Sequence, residues 1–244
     1  MNLGFFEVGL NVANFERSVA SYKSLGFELV NGGLGIQTVT LRNKSSRIAL
    51  YHGYGDEAFF LQFYQGDVEA IAQHCRSRGI RLEPRDLPFE ETSAGSGVYS
   101  GNGRADVGIA STTRDEGGHL LHFIWQRERP DNPSPREQLW FSGLETQPQA
   151  LPEPTEFEVA LPTNDLDEAL EFYLKLGFRI VEDPSRSCVA VKSGDCRLSL
   201  HRSQLEQPRL TFFHGDAQSR DDRLMSDPNG HPIMFRYVDE RLPT

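Results

Sequence analysis

The chain repeats itself, and the repeat fixes where equivalent residues must lie. Phe6-Glu7-Val8-Gly9-Leu10 returns as Phe157-Glu158-Val159-Ala160-Leu161, Tyr22 as Tyr173, and Leu25-Gly26-Phe27 as Leu176-Gly177-Phe178. Each pair is 151 residues apart (158 minus 7), with no gap across the run. A duplicated unit sets equivalent residues at symmetry-related points, and in a two-unit fold these tend towards the interface, where small-molecule sites often sit. Glu7 and Glu158 are therefore the first candidate functional residues.

Each copy opens alike. Val8, Leu10 and Val12 alternate with Glu7, Gly9 and Asn11, the period of a half-buried strand, so the glutamates fall on the face opposite the apolar set. Asn14 can cap a helix carrying Phe15, Val19 and Tyr22, and Gly26 stands where a helix end wants a left-handed residue. In the second copy Asp165 and Glu168 have capping-box spacing, Leu166, Leu170 and Tyr173 form the stripe, and Gly177 ends it. Strands are expected at 27–30, 36–42, 47–52, 59–64 and 106–111, then at 178–182, 188–192, 197–201 and 209–214. A second helix is expected over 67–78, with Val68, Ile71 and Cys75 on one face and Gly79 as its stop.

Each copy also closes alike. Asp115 to Phe123 matches Asp227 to Phe235 at an offset of 112, so the first copy carries 39 more residues between its ends (151 minus 112). This organises the chain into a first module over 1–128 with a long insert at 65–112, a linker over 129–154, and a shorter second module over 155–240. The linker reading rests on recurrent proline without apolar periodicity. Trp140 and Phe141 are expected to pin it against a module. Within the insert, the Gly/Ser/Asn-rich stretch Thr92 to Arg104 reads as a loop over the cleft. It is not followed by Lys-[Ser/Thr] and a helix, as a phosphate cradle would be.

With 244 residues the chain can bury a sizeable core, and its formal net charge of -10 with scattered Lys and Arg argues against nucleic acid and anionic membranes. Three cysteines, Cys75, Cys188 and Cys196, without Cys-x-x-Cys spacing fit a reducing compartment. No signal peptide or transmembrane run is visible, so a cytoplasmic location is expected.

Together the opening and closing motifs resemble the vicinal oxygen chelate superfamily, which includes glyoxalase I, extradiol dioxygenases, methylmalonyl-CoA epimerase and the fosfomycin- and bleomycin-resistance proteins. The marks are Ser21-Tyr22-Lys23-Ser24-Leu25-Gly26-Phe27 with Phe172-Tyr173-Leu174-Lys175-Leu176-Gly177-Phe178, and the turn Asp227-Pro228-Asn229-Gly230, degenerate at Asp115 to Gly118. The resemblance implies an α+β fold of two tandem βαβββ modules forming a curled mixed sheet around a cleft. It also implies metal ligands on the first and last strand of each module, which here are Glu7, His122, Glu158 and Met234. The first three are competent donors for a divalent ion such as Mn, Fe, Zn, Ni or Mg, leaving positions for water or substrate. Met234 is a soft thioether that reads as a packing residue of the pocket.

Two functions stay open on these residues. One is a metal-dependent lyase, isomerase or dioxygenase in which Glu7, His122 and Glu158 hold the ion and a small substrate chelates it. An extradiol dioxygenase is its least supported form, since that chemistry resembles a site of two histidines and one carboxylate. The other is a metal-free protein of the bleomycin-resistance type binding an antibiotic or aromatic ligand, with the acidic pair attracting positive charge. In that case the glutamates pair with Arg197 or Arg236, and His201 can reach the pocket. His119 and His231 repeat at matching turn positions, which suggests a turn role. The resemblance also implies pairing of four modules through a homodimer.

Overall fold

The computed structural model describes residues 2–33, 38–44, 46–53, 57–85, 107–126, 133–146, 155–182, 185–202, 205–215 and 221–238. The first copy contains β1 (Gly4–Asn11), α1 (Phe15–Ser24), β2 (Glu28–Gly33), β3 (Thr38–Asn43), β4 (Ser46–Tyr51), β5 (Phe59–Gln65), α2 (Val68–Ser77), β6 (Glu83–Arg85), β7 (Val107–Arg114) and β8 (Leu120–Gln126). Then come α3 (Pro135–Gly143), β9 (Glu156–Thr163), α4 (Leu166–Lys175), β10 (Arg179–Ile180), β11 (Cys188–Ser193), β12 (Cys196–Arg202), β13 (Arg209–His214), β14 (Arg223–Ser226) and β15 (Pro232–Tyr237). The Thr92 to Arg104 loop lies outside the described residues.

The fold is α+β and built of βαβββ units, and each copy makes its own sheet. The first sheet has the order β2-β3-β4-β1-β5-β8-β7-β6 and the second β10-β11-β12-β9-β13-β15-β14. Each sheet divides at its centre. β1-α1-β2-β3-β4 supplies one half of the first sheet and β5-α2-β6-β7-β8 the other, joined by antiparallel pairing of β1 with β5. The second sheet repeats this with β9-α4-β10-β11-β12 and a shortened half of β13, β14 and β15. Part of the extra length of the first copy is thus α2 and β6.

Local signals explain the helices. Asn14 accepts from the Arg17 N–H, Asp67 from that of Ala70, and Asp165 from those of Asp167 and Glu168, each satisfying an otherwise orphaned amide. Gly26, Gly79 and Gly177 follow the helices at φ of 83°, 74° and 100°, a region where a Cβ would clash. The helices bury Phe15, Val19 and Tyr22, and Leu166, Ala169 and Tyr173. These join Val8, Leu10, Val159, Leu161, Phe63 and Phe212 in one apolar cluster shared by both copies.

Three expectations need adjusting, and two strands were not expected. The 129–154 segment is not simply a linker: Ser134 and Glu137 form a capping box with Pro135 in the first turn, and α3 follows. Trp140 stacks on Phe15 with centroids 6.0 Å apart. Lys23 lies over the Phe141 ring and donates to the carbonyls of Phe141, Ser142 and Leu144, so α3 is fastened to the first copy. The strand expected over 178–182 shrinks to two paired residues, Arg179 and Ile180, on an edge. The strand expected over 106–111 runs on to Arg114, held by β8 on one side. Two edge strands, β6 and β14, were hidden because Pro84 and the charged Arg223 break any alternating pattern.

The copies are tied by a reciprocal exchange. Tyr173 of the second copy donates to Asp115 of the first at 2.8 Å, and Tyr22 of the first donates to Asp227 of the second at 3.3 Å. Each aspartate also accepts from a histidine four residues on: from the His119 N–H and Nδ1, and from the His231 N–H and Nδ1. A carboxylate only accepts, so both imidazoles carry their proton on Nδ1. This is the turn role expected of His119 and His231, with a cross-copy partner added. Asn229 extends it, accepting from the Ala13 N–H and donating to Ser18, and Thr163 bonds Glu116 in return.

Tyr173→Phe removes a donor from the buried Asp115 and is expected to lower unfolding free energy by about 1–2 kcal/mol, read as a lower denaturation midpoint with unchanged slope. Burial alone would raise the Asp227 carboxyl, but the hydrogen bonds and charge of His231 and the Asn229 N–H outweigh it and hold it below its ordinary range. A depressed carboxyl contributes stability that is present above its unfolded value of about 4 and lost as pH falls through the folded one. Asp227→Asn should therefore lose most stability near neutrality, the gap to wild type narrowing below pH ~4, measured by thermal melts from pH 3 to 7.

Candidate functional site

The pleat of each sheet sends alternate residues to the face away from the shared core, and strand register sets them in rows. Directly paired residues on neighbouring strands share a face. In the first sheet Glu7 pairs with Gln62, and Gln62 with His122. In the second, Glu158 pairs with Thr211, and Thr211 with Met234. Beside these rows, Arg47 and Arg197 stand at equivalent places on β4 and β12, one residue before the Ile48–Val8 and Leu198–Val159 pairs.

The three expected metal donors do not come together. Glu7 and His122 flank Gln62 on the first sheet, whereas Glu158 is on the second. Among the described residues, no group of three His, Cys, Asp or Glu side chains is placed to hold a metal ion. Each glutamate instead faces its own arginine: Arg197 Nε donates to Glu158 at 2.8 Å, and Arg47 Nε lies 3.9 Å from Glu7. Of the two arginine partners expected, Arg197 is the one found. A dication about 4 Å from a guanidinium is opposed by roughly 8 kcal/mol at an effective dielectric of 20. A ligating carboxylate at about half that distance attracts it about twice as strongly, so Arg197 weakens what Glu158 offers an ion without cancelling it. With Thr211 and Met234 as the next side chains in the row, the second cleft does not fit a divalent ion. In the first cleft the Gln62 Oε1 already accepts from Tyr51 at 3.0 Å and Tyr64 at 2.6 Å.

One row further along, the clefts diverge. Gly9 pairs with Phe60 in the first sheet, and Ala160 with Arg209 in the second. A Cβ on Gly9 would lie 2.1 Å from the Phe60 ring, so glycine is what lets that ring lie across the strand. Phe60 stacks on His122 with centroids 5.1 Å apart and joins Ala49, Tyr51 and Leu120 in a small apolar cluster of its own. The middle of the first cleft is thus filled by side chain.

The second cleft holds a cavity of about 400 Å³, in the range of small-ligand sites. Its lining includes Glu158, Arg197, Ser199, His201, Arg209, Thr211 and Arg236. Arg197 gathers the nearby carboxylates, bonding Glu158, Glu156 and Glu182 while lying over the Phe213 ring. Burial alone would lower its pKa, but these carboxylates outweigh that and raise it. Arg236, on the same row as Phe213, lines the cavity and lies 3.7 Å from Asp222. Met234 occupies the row without lining the cavity.

His201 contacts Ser199 Oγ at 3.0 Å and Cys188 Sγ at 3.6 Å. Burial, then Arg209 and Arg236, hold its imidazole down to about 4. Burial, then Glu158 and Glu182, push the Cys188 thiol up to about 11. Both groups are neutral near pH 7, so they form a polar contact rather than a thiolate nucleophile.

Arg209 and Thr211 were not anticipated from the sequence, nor were Gln62 and Arg47. The signal was available in Arg47-Ile48-Ala49-Leu50 against Arg197-Leu198-Ser199-Leu200, but there the offset has slipped to 150 (197 minus 47). Two buried donors in the second cleft stand out. The Arg209 Nε and the Thr211 Oγ1 have no hydrogen-bond partner among the described residues, and a buried group left so costs about 1–3 kcal/mol.

Residues 157–241 match the family model described as the Glyoxalase/Bleomycin resistance protein/Dioxygenase superfamily. No curated protein matches the chain. Among solved structures, a catechol 2,3-dioxygenase superposes with a TM-score of 0.58 at 16% identity, over 100% of this chain and 90% of that one. The 2,3-dioxygenase LapB from Pseudomonas sp. KL28 gives 0.59 at 13%, over 96% and 91%. A 2,2',3-trihydroxybiphenyl 1,2-dioxygenase from Sphingomonas wittichii gives 0.57 at 12%, over 98% and 92%. At such identities the likeness is one of fold. The second module thus matches the glyoxalase/bleomycin resistance protein/dioxygenase superfamily, and both sheets share the fold of these dioxygenases.

Proposed function

We propose that this protein binds a small molecule in the cleft of its second sheet and does so without a divalent ion. The observation that carries this reading is the Glu158–Arg197 pair at 2.8 Å on the wall of the 400 Å³ cavity. It puts a fixed cation where a metal would need open carboxylate. The reading departs from the sequence in the charge of the ligand. An acidic pair awaiting a cation is not what the cleft offers, because Arg197 occupies both lining carboxylates, Glu158 and Glu182. The metal-dependent lyase, isomerase or dioxygenase reading, with Glu7, His122 and Glu158 as ligands, lacks the convergence it needs.

The first cleft supplies the test. Replacing Ala160→Gly together with Arg209→Phe copies the Gly9–Phe60 arrangement into the second sheet. Small aromatic acids, amides and amines screened by melting temperature should include compounds that stabilise wild type equally with and without chelator. The double variant should remain folded and lose that response. Stabilisation that appears only on adding Mn, Fe or Zn, and disappears with Glu158→Gln, would overturn the proposal.

The neutral His201 gives a second expectation. Its folded pKa of about 4 lies below the unfolded value of about 6.5, so the unfolded chain takes up the proton first. Stability should fall as pH drops from about 6.5 to about 4 and lack this contribution to slope above. His201→Gln should flatten that limb, measured by denaturant titration at each pH.

A further inference from the structure

We infer that the ligand of the second cleft carries a carboxylate, seated against Arg209 and Thr211. This rests on the reading of that cleft as a metal-independent binding site. Three observations bear on it. The first is the pair of buried donors, Arg209 Nε and Thr211 Oγ1, which meet no acceptor of the described chain. They stand two residues apart on β13, with Arg209 opposite Ala160 and Thr211 opposite Glu158. Ala160 between Arg209 and Ser199 carries only a methyl group and leaves the floor open. Two N–H or O–H donors side by side match the two oxygens of a carboxylate.

The second observation is the balance of charge at the cavity. Glu158 and Glu182 are both bonded by Arg197, which also reaches Glu156. Arg209 remains to face a ligand, with Arg236 beside it held 3.7 Å from Asp222; burial, and less strongly Arg236, oppose the Arg209 charge, while Glu158 favours it. A bound anion relieves that opposition, whereas a bound cation adds to it. The nearness of Glu158 disfavours a second negative charge, which selects a carboxylate over a phosphate dianion.

The third observation is the comparison between the two halves. The position held by Arg209 is filled by Phe60 in the first sheet, and that held by Thr211 by Gln62. In the first sheet the amide oxygen of Gln62 is bonded by Tyr51 and Tyr64. His201 occupies the place of Tyr51, and Phe213 that of Tyr64, so no equivalent hydroxyl reaches Thr211. The donors on β13 are left for something other than the chain. Beyond the oxyanion end, Ala190, Phe213 and Val238 offer an apolar wall, and Ser199 with neutral His201 offers a hydroxyl partner. A monocarboxylate on a single ring fits these dimensions.

Isothermal titration of the full chain in chelator, with benzoate, benzamide, benzylamine and phenyl phosphate as probes, tests the inference. Benzoate is expected to bind at least tenfold more tightly than benzamide or benzylamine and more tightly than phenyl phosphate. Arg209→Met should weaken benzoate at least tenfold and leave benzamide unchanged, and the near-isosteric Thr211→Val should weaken benzoate severalfold. Circular dichroism melts establish that both variants are folded. If benzamide or benzylamine matches benzoate, or phenyl phosphate exceeds it, and the Ala160→Gly, Arg209→Phe variant still abolishes binding, the carboxylate inference falls while the cleft remains the site. If no probe binds, or binding survives the filled cleft, both fall.

Discussion

Each copy buries an aspartate at its closing turn that only the other copy can fully satisfy. Asp115 takes Tyr173 across the interface, and Asp227 takes Tyr22, while the local histidine and backbone amides fill the remaining lone pairs. A buried carboxylate without such donors would cost several kcal/mol, so the two copies specify each other's packing. The tyrosines come from α1 and α4, whose apolar stripes line the shared core. The exchange therefore turns the core face of each sheet inward and assigns the opposite face to a cleft. Everything said of the clefts, including which residues share a row, depends on this division of faces.

Duplication then allows the two cleft faces to part ways. Both keep the glutamate and its arginine, Glu7 with Arg47 and Glu158 with Arg197. An arginine lying alongside a buried carboxylate is costly to separate and gains little over an apolar pair, so its presence twice sets the polar character of both faces. One row away the choice is between Gly9 with Phe60 and Ala160 with Arg209. The first exchanges a Cβ for an aromatic ring and closes the middle of the cleft on itself. The second keeps a small floor and places a guanidinium over it, which needs a partner.

The helices and their caps were legible because they depend on short-range signals: Asn14, Asp165, Gly26 and Gly177 act within one turn of themselves. The 151-residue repeat was legible for the same reason, since no insertion interrupts it before Phe27. The candidate site was legible only in part. Arg197 and His201 were recognised, and both line the cavity, but Arg209 and Thr211 were not. On β13 Arg209 and Thr211 alternate with Leu210 and Phe212, but Phe213 and His214 break the alternation after four residues, so the polar pair carries only a short periodic mark. Glu7, Glu158 and His122 do sit on cleft faces, as alternation requires. Alternation cannot say which sheet a face belongs to, and that long-range fact separates Glu158 from the other two. The capping box at Ser134 and Glu137 was a local signal too, masked by the prolines around it.

Net charge is a poor guide to this site, and the reason is specific. The chain carries -10 overall, which by itself suits a cationic ligand. At distances beyond about 8–10 Å that surplus is screened by salt, so the cavity responds to its own wall. There a single arginine, Arg197, engages three carboxylates. It pairs with the acid nearest the cavity and, with Arg236 beside Asp222, leaves Arg209 as the charge a ligand meets first. The acidic residues hold Arg197 in place and keep it from contributing a second free cation. The sign of the ligand is then set by which basic group lacks a partner, and on β13 that group is the Nε of Arg209.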